Sequence, residues 1–365
     1  MLRPHAESPR ITLAVVSLGV TTPLVDCLAA LAAHDTRHDF SVVWVRNDPG
    51  RLAVSAPIIL PDGVHEVRVD TNLGWAGGLH AARAASNAEL LVWVQDDMVV
   101  LPGWLDALVD AADAHPEFAA FGSRAVDDRG APSGFAGGHV SDDLDIGHWN
   151  DTDTTAVETP STVTRLDWIT SKGLLTRVSA WDAIGGADPR RYPLNHVDKD
   201  YSVHLRAHGY SVALVPDARL LHLGSQSSPS DFRSFITSWG EPSFNERWMP
   251  VASELRGGDR PVDHECLPWA GRVADESTLR LITQAATEEA GKLVVPLARW
   301  FSKQMGAARD ELQATEVARA AEAVKAAESA HAQRQSAAQL AEVYASTSWR
   351  ATAPLRALGR LKPRR

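Results

Sequence analysis

The sequence has little of several things, and each shortage removes a class of protein. It holds two cysteines, Cys27 and Cys266, in 365 residues. Neither has a Cys or His neighbour at a familiar metal-ligand spacing, and two lone cysteines do not make a disulfide framework. Positive charge is scarce too: 36 Lys and Arg stand against 46 Asp and Glu, for a net charge of −10. A chain built mainly to bind nucleic acid is usually basic, so no nucleic-acid partner is expected. No apolar run approaches the roughly 18 residues of a membrane span. The stretch Ile11–Val20 is short, contains Thr12, Ser17 and Gly19, and lacks a small-residue cleavage pattern. It reads as a first core strand rather than a secretory signal. The expectation is a cytoplasmic chain, with contact to the inner face of the plasma membrane left open.

What is present is an ordinary globular composition, 44% hydrophobic and 22% charged, enough for a sizeable core. After a polar leader, residues 1–10, the pattern alternates. ITLAVVSL, DFSVVWVRND, GVHEVRVD and LLVWVQ read as strands. TTPLVDCLAALAAH, WAGGLHAARAASN and PGWLDALVDAADAH read as helices, with Thr22 as N-cap of the first. Such alternation predicts a mostly parallel sheet covered on both faces, with ligands at the carboxyl ends of its strands. Asp48, Asp70, Asp96 and Asp97 all fall at expected strand ends. Residues 126–160, rich in Asp, Gly, Ser and Thr, read as a loop region. Residues 307–345 contain no Gly or Pro and are rich in Ala, which is strong helix composition, though the heptad signal for a coiled coil is weak.

Four places could carry chemistry. Gln95-Asp96-Asp97 ends a strand, where carboxylates suit a hard divalent cation, though for a lone acidic pair an exposed surface turn is the commoner reading. Asp70-Thr-Asn-Leu-Gly-Trp-Ala-Gly-Gly78 opens a helix whose N–H groups could meet phosphate. It is not GxGxxG, so a dinucleotide fold is disfavoured. His196-Val-Asp198-Lys-Asp200 starts another helix. There the two aspartates point about 200° apart and cannot both face one site. His222 follows the last strand and is either packed or a metal ligand.

Taken together, NLGWAGGLHAA, LLVWVQDDMVVLPGWLDAL, DWITSKGLLTRVSAWDAIGG and HVDKDYSVHLRAHGYSVALVPDARLLH resemble the large family (family 2 type) of inverting nucleotide-sugar glycosyltransferases with the GT-A fold. The resemblance spans roughly residues 11–245. It implies an α/β fold: a single GT-A-type nucleotide-binding domain over 11–270 with a mostly parallel central sheet. A helical extension over 271–345 and a basic amphipathic tail over 346–365 follow. It implies Asp97 and His222 as ligands of a divalent metal, Mg²⁺ or Mn²⁺, with Asp96 beside the donor. Asp198 matches the catalytic base. Asn47, Asp48, Asn72, Gly74 and Gly78 match the nucleotide-binding positions. Trp168 and Asp200 match the acceptor side, as do Gly185 and Gly186. Three departures stand out: Gln95 replaces the first Asp of Asp-x-Asp, Val197 replaces an acidic residue, and His204 stands where Arg is common.

The implied partners are a nucleotide-diphosphate sugar and a glycan or lipid-linked glycan acceptor in cell-surface polysaccharide synthesis. The ending STSWRATAPLRALGRLKPRR resembles tails of bacterial cell-surface polysaccharide glycosyltransferases. It carries six basic residues and no acidic one. That composition suits an anionic membrane surface, and equally a solvated tail or a helix packed on a partner copy. Two competing readings are a nucleotidyltransferase and a non-catalytic scaffold with a degenerate sugar-nucleotide domain. SLGVTTP after the first strand has no basic residue to hold a triphosphate, which counts against the former. Gln95 and Val197 favour the latter.

Overall fold

A computed structural model describes residues 9–47, 60–133, 135–140, 146–150, 161–192, 194–223, 230–255 and 260–345. The expectations for Asp48, for most of the leader and for the basic tail therefore lie outside the described residues.

Among the described residues twelve strands and eight α-helices follow in order: β1 (Ile11–Ser17), α1 (Thr22–Ala32), β2 (Phe40–Arg46), β3 (Val64–Arg68), α2 (Gly74–Ala84), β4 (Leu90–Gln95), β5 (Met98–Val100), α3 (Trp104–Ala114), β6 (Phe118–Val126), β7 (Phe135–Val140), β8 (Ile146–Asn150), β9 (Thr164–Leu166), β10 (Trp168–Ile169), β11 (Leu174–Arg177), α4 (Val178–Ile184), α5 (Val197–Ala207), β12 (Ser211–His222), α6 (Ser230–Trp248), α7 (Ala252–Leu255) and α8 (Glu276–Ala345). The expected α/β alternation is present. Thr21, one residue before the expected cap, caps α1 by accepting a bond from the Leu24 N–H at 3.3 Å.

The main sheet runs β3-β2-β1-β4-β11-β6-β12-β5, with β9 beside β12. Its β3–β2–β1–β4 half is parallel, and β12 is parallel to β6. β11 enters antiparallel between β4 and β6. The central strands are buried on both faces, as parallel strands must be when helices cover both sides. Alternation splits them cleanly. Leu13, Val15, Trp44, Val92 and Val94 face one core with Leu24 and Leu28 of α1 and Trp104 and Leu108 of α3. Ala14, Val16, Val43 and Trp93 face the other with Leu79 of α2, Trp181 of α4 and Tyr201 of α5.

Part of the region expected as loop, residues 126–160, forms strands instead. β7 and β8 pair antiparallel, and β10 adds to β7 as a small second sheet. Cross-strand pairing, invisible to local composition, overrides the turn-rich sequence here.

Contacts divide the chain into two units, Met1–Val294 and Val295–Arg365. Within the first, Ile282, Ala286 and Leu293 of α8 are buried. Within the second, side chains 301–342 are exposed. Among the described residues no helix is long and apolar enough to cross a membrane.

Candidate active site

The chain passes from β1 outward to β2 and β3, then returns to β4 on the other side of β1. That reversal leaves a crevice beyond the carboxyl ends of β1, β2 and β4, the usual ligand position in such sheets. Register delivers the remaining parts. Leu174 of β11 pairs with Trp93 of β4, so the turn Ser171–Gly173 lies beside Gln95. His222 pairs with Met98, which sets it beside Asp97.

Gln95, Asp97 and His222 converge. His222 Nε2 lies 3.0 Å from Gln95 Oε1 and 3.4 Å from Asp97 Oδ1. Neighbouring ligand atoms around an octahedral Mg²⁺ or Mn²⁺ are about 3 Å apart. Two oxygens and an imidazole nitrogen at that spacing therefore fit a divalent cation. The main chain fixes the turn, because the Leu223 N–H donates to the Asp97 carbonyl at 3.0 Å. Beneath it Cys27 is buried, its Sγ 3.6 Å from the Gln95 carbonyl oxygen. Burial, and next the charges of Asp96 and Asp97, push its thiol up to about 12, so it is no nucleophile at neutral pH. Asp96 is half-buried beside Asp97. Burial first, then the Asp97 charge, raise its carboxyl to about 6. Two such anions side by side repel, and an opposite charge nearby would relieve that repulsion.

Gln95 also reaches the other way. Its Nε2 donates to Ser171 Oγ at 2.9 Å. Ser171 donates to Asp198 Oδ2 through its backbone N–H at 3.0 Å and its hydroxyl at 3.3 Å. The Lys199 N–H donates to Asp198 Oδ1 at 2.9 Å. Hydrogen bonds thus join His222, Gln95, Ser171 and Asp198 in one line, with Asp97 Oδ1 in ion-pair reach of its His222 end at 3.4 Å. Gln95, which the sequence marks as a departure, is the hub of that line.

Besides Ser171, two residues of this site escaped the sequence reading. Lys172, on the same turn as Ser171, feels the charges of both Asp198 and Asp97, while burial lowers its ammonium pKa. The turn needs Gly173 at φ +65°, where a Cβ would also sit 2.7 Å from Ser123 Oγ. The SKG tripeptide before an apolar strand was the available signal. His196 is the second. It is the one non-glycine residue with positive φ, 68°, among those described. Its Nε2 bonds the Thr237 carbonyl oxygen of α6 at 3.1 Å, which fixes the entry into α5 just ahead of Asp198.

Asp198 and Asp200 part as helix geometry requires. Asp200 is fully buried and accepts bonds from Arg247 at 2.9 and 3.0 Å and from Trp248 Nε1 at 2.8 Å. It anchors α5 to α6, so the acceptor-side position expected for it is not what its surroundings offer. Trp168 is also buried, with the Lys199 ammonium 5.0 Å from its ring centroid. Gly185 and Gly186 end α4 beneath Trp181 and Trp269.

At the carboxyl end of β2, Asn47 Nδ2 donates to Asn72 Oδ1 at 3.2 Å and to the Gly74 carbonyl at 2.9 Å. The Leu73 N–H donates to Asn47 Oδ1, and the Gly74 N–H to Asn72 Oδ1, both at 2.8 Å. Asn47 is buried and Asn72 exposed, so the pair shapes the loop and leaves Asn72 at the crevice. Gly78 plays a packing part. A Cβ there would lie 2.5 Å from Val16 Cγ1, so glycine lets α2 lie close on β1.

Comparisons with known proteins give the family and the fold. The model of the family described as "Glycosyltransferase like family 2" matches residues 9–244. The O-antigen biosynthesis protein RfbC of Myxococcus xanthus is 29% identical over 214 residues, 51% of this chain and 16% of that protein. The chain thus spans about a sixth of that relative. A crystal structure of GalNAc-T7 with UDP, GalNAc and Mn²⁺ superposes with a TM-score of 0.50 at 13% identity. It covers 68% of this chain and 50% of that one, a likeness of fold. Matched by the family model over the whole sheet and the helices that carry Asp97, Asp198 and His222, this chain belongs to the glycosyltransferase-like family 2.

Proposed function

We propose that the chain is an inverting glycosyltransferase that moves a sugar from a nucleotide diphosphate to a hydroxyl of a glycan or lipid-linked glycan acceptor. The observation that carries this reading is the hydrogen-bonded line from His222 through Gln95 and Ser171 to Asp198, with Asp97 beside His222. It supports a cation-binding pole at Asp97 and His222 and a carboxylate base at Asp198. A degenerate scaffold would have no reason to keep that line, which is why Gln95 speaks for a working site.

Asp97 and His222, with Gln95 Oε1, would hold Mg²⁺ or Mn²⁺. Such an ion, when bound, neutralises the diphosphate and makes it a better leaving group. The Mn²⁺ in the GalNAc-T7 structure is consistent with that choice. Lys172 brings a second positive charge between Asp97 and Asp198, placed for phosphate oxygens. Asn47 and Asn72 hold the loop that meets the nucleotide. Asp198 accepts the proton of the acceptor hydroxyl as its oxygen attacks the anomeric carbon. The bond from that carbon to the diphosphate oxygen breaks as the new glycosidic bond forms on the opposite face. Ser171 and the Lys199 N–H fix the carboxylate so that it is aimed before substrate arrives. General-base help of this kind contributes about 10²–10⁴-fold. The relation to an O-antigen biosynthesis protein supports a cell-surface polysaccharide as the product class.

The test is transfer from a panel of UDP-, GDP- and dTDP-sugars with Mn²⁺, comparing the parent with Asp198→Asn. The variant should lose about 10²–10⁴ in turnover and keep its thermal shift with donor. Near-parental turnover would remove Asp198 from the base position.

A further inference from the structure

Well along α5 from Asp198, three histidines meet. His204 and His208 are one helical turn apart and share a face. His264 joins them from the segment after α7, which docks on the end of α5 through a bond from the Val262 N–H to the Ala207 carbonyl at 2.9 Å. One ring nitrogen from each of the three can be chosen so that all lie within 4.8 Å of one another. The ring centroids are 4.6 to 5.2 Å apart. From these residues we infer a second metal site, distinct from the carboxylate site: a tetrahedral Zn²⁺-type centre of His204, His208, His264 and Cys266.

Four observations carry it. First, His204 is fully buried, and among the described residues neither of its ring nitrogens has a hydrogen-bond partner. A buried polar atom left so is costly, and a metal would satisfy it. Second, the outer bonds that orient metal-binding histidines already exist. His208 Nδ1 lies 3.1 Å from the His204 carbonyl oxygen, and His264 Nδ1 lies 2.8 Å from the Val262 carbonyl oxygen. Each Nδ1–H donates there, which leaves the Nε2 lone pair free for a metal. Among the described residues His264 Nε2 is buried with no hydrogen-bond partner. Third, Cys266 Sγ lies 3.9 Å from His208 Nε2 and is exposed, so it can turn inward as the fourth ligand. On binding, its thiol releases one proton to solvent. Imidazoles with one thiolate suit Zn²⁺ and its tetrahedral analogue Co²⁺ rather than Mg²⁺. Fourth, the neighbouring guanidiniums are already balanced: Arg247 by Asp188 and Asp200, and Arg190 by Asp188 and Glu265.

Ligand atoms about a tetrahedral zinc lie roughly 3.3 Å apart, so the rings need only small rotations to close on one. No short window carries this hint, because the pair His204-x₃-His208 is far in sequence from His264-x-Cys266. The metal would staple the C-terminal half of α5, whose N-terminus carries Asp198, to the 260–266 segment.

The experiment uses the untagged full-length chain, stripped with EDTA and held in excess Mg²⁺ so that hard-cation sites are filled. Titration with Co²⁺ should give one equivalent bound, with visible tetrahedral bands and a sulfur-to-cobalt charge-transfer band that Zn²⁺ abolishes. His208→Asn and His264→Asn, checked for folding by circular dichroism, should weaken Co²⁺ binding about tenfold or more. Cys266→Ser should lose the charge-transfer band. Asp97→Asn should bind as the parent does. No Co²⁺ or Zn²⁺ uptake by the folded parent, or uptake unchanged in both histidine variants, would overturn the site. An unchanged charge-transfer band in Cys266→Ser would overturn the fourth ligand.

Discussion

Replacing Asp96 with Asn tests the electrostatics at the end of β4. Burial, and then the Asp97 charge, raise the Asp96 carboxyl from 3.8 to about 6. The folded chain thus binds this proton more tightly than the unfolded chain. The stabilisation gained by protonation is fully present below pH 3.8 and is lost as the pH rises through about 6. Above that, the metal-free fold carries a half-buried anion beside another anion. At about 1.4 kcal/mol per pKa unit, this destabilises it by up to about 3 kcal/mol. That figure is an upper bound, because Asp96 keeps some solvent contact that screens its charge. Asn preserves the shape and removes the charge. In EDTA at about pH 7.5, Asp96→Asn should therefore melt higher than the parent, by roughly 2–4 °C for each kcal/mol gained. Melts repeated from about pH 8 down to about pH 4 should show the gap narrowing through pH 6 and closing near the low end. EDTA matters, since a bound cation would relieve the same repulsion in the parent. A variant no more stable than the parent at pH 7.5, or a gap that ignores pH, would refute the reasoning.

Two further outcomes follow from packing and charge. Gly78→Ala places a Cβ 2.5 Å from Val16 Cγ1, so α2 must retreat from β1. Denaturant unfolding should show a loss of about 1–3 kcal/mol, and unchanged stability would mean that the close approach is not needed. Arg247→Leu strips Asp200 of its guanidinium partner in a fully buried setting, which should destabilise the fold by about 3–5 kcal/mol. Adding Asp200→Asn to that variant should recover part of the loss, and failure of the double variant to recover any would show that unpaired charge is not the cause.

Much of this protein was written in its sequence because the signals are local. Strand and helix periods, and the carboxylates ending LLVWVQDD, depend on neighbours within a few residues. So does the opposite facing of Asp198 and Asp200, which follows from about 100° per residue on a helix. The family resemblance drew on the same short stretches. What the sequence could not supply was anything set by strand pairing across the chain. The antiparallel entry of β11 between β4 and β6 brings Ser171 and Lys172 to Gln95. The pairing of β12 with β5 brings His222 to Asp97. Only those registers turn Gln95 from a broken motif into a side chain bonded to both His222 and Ser171. Asp200 likewise read as a site residue until α6 supplied Arg247 and Trp248 to bury it. Local chemistry named the candidates; non-local packing decided which of them meet, because register and helix docking are properties of distant segments that no short window of sequence contains.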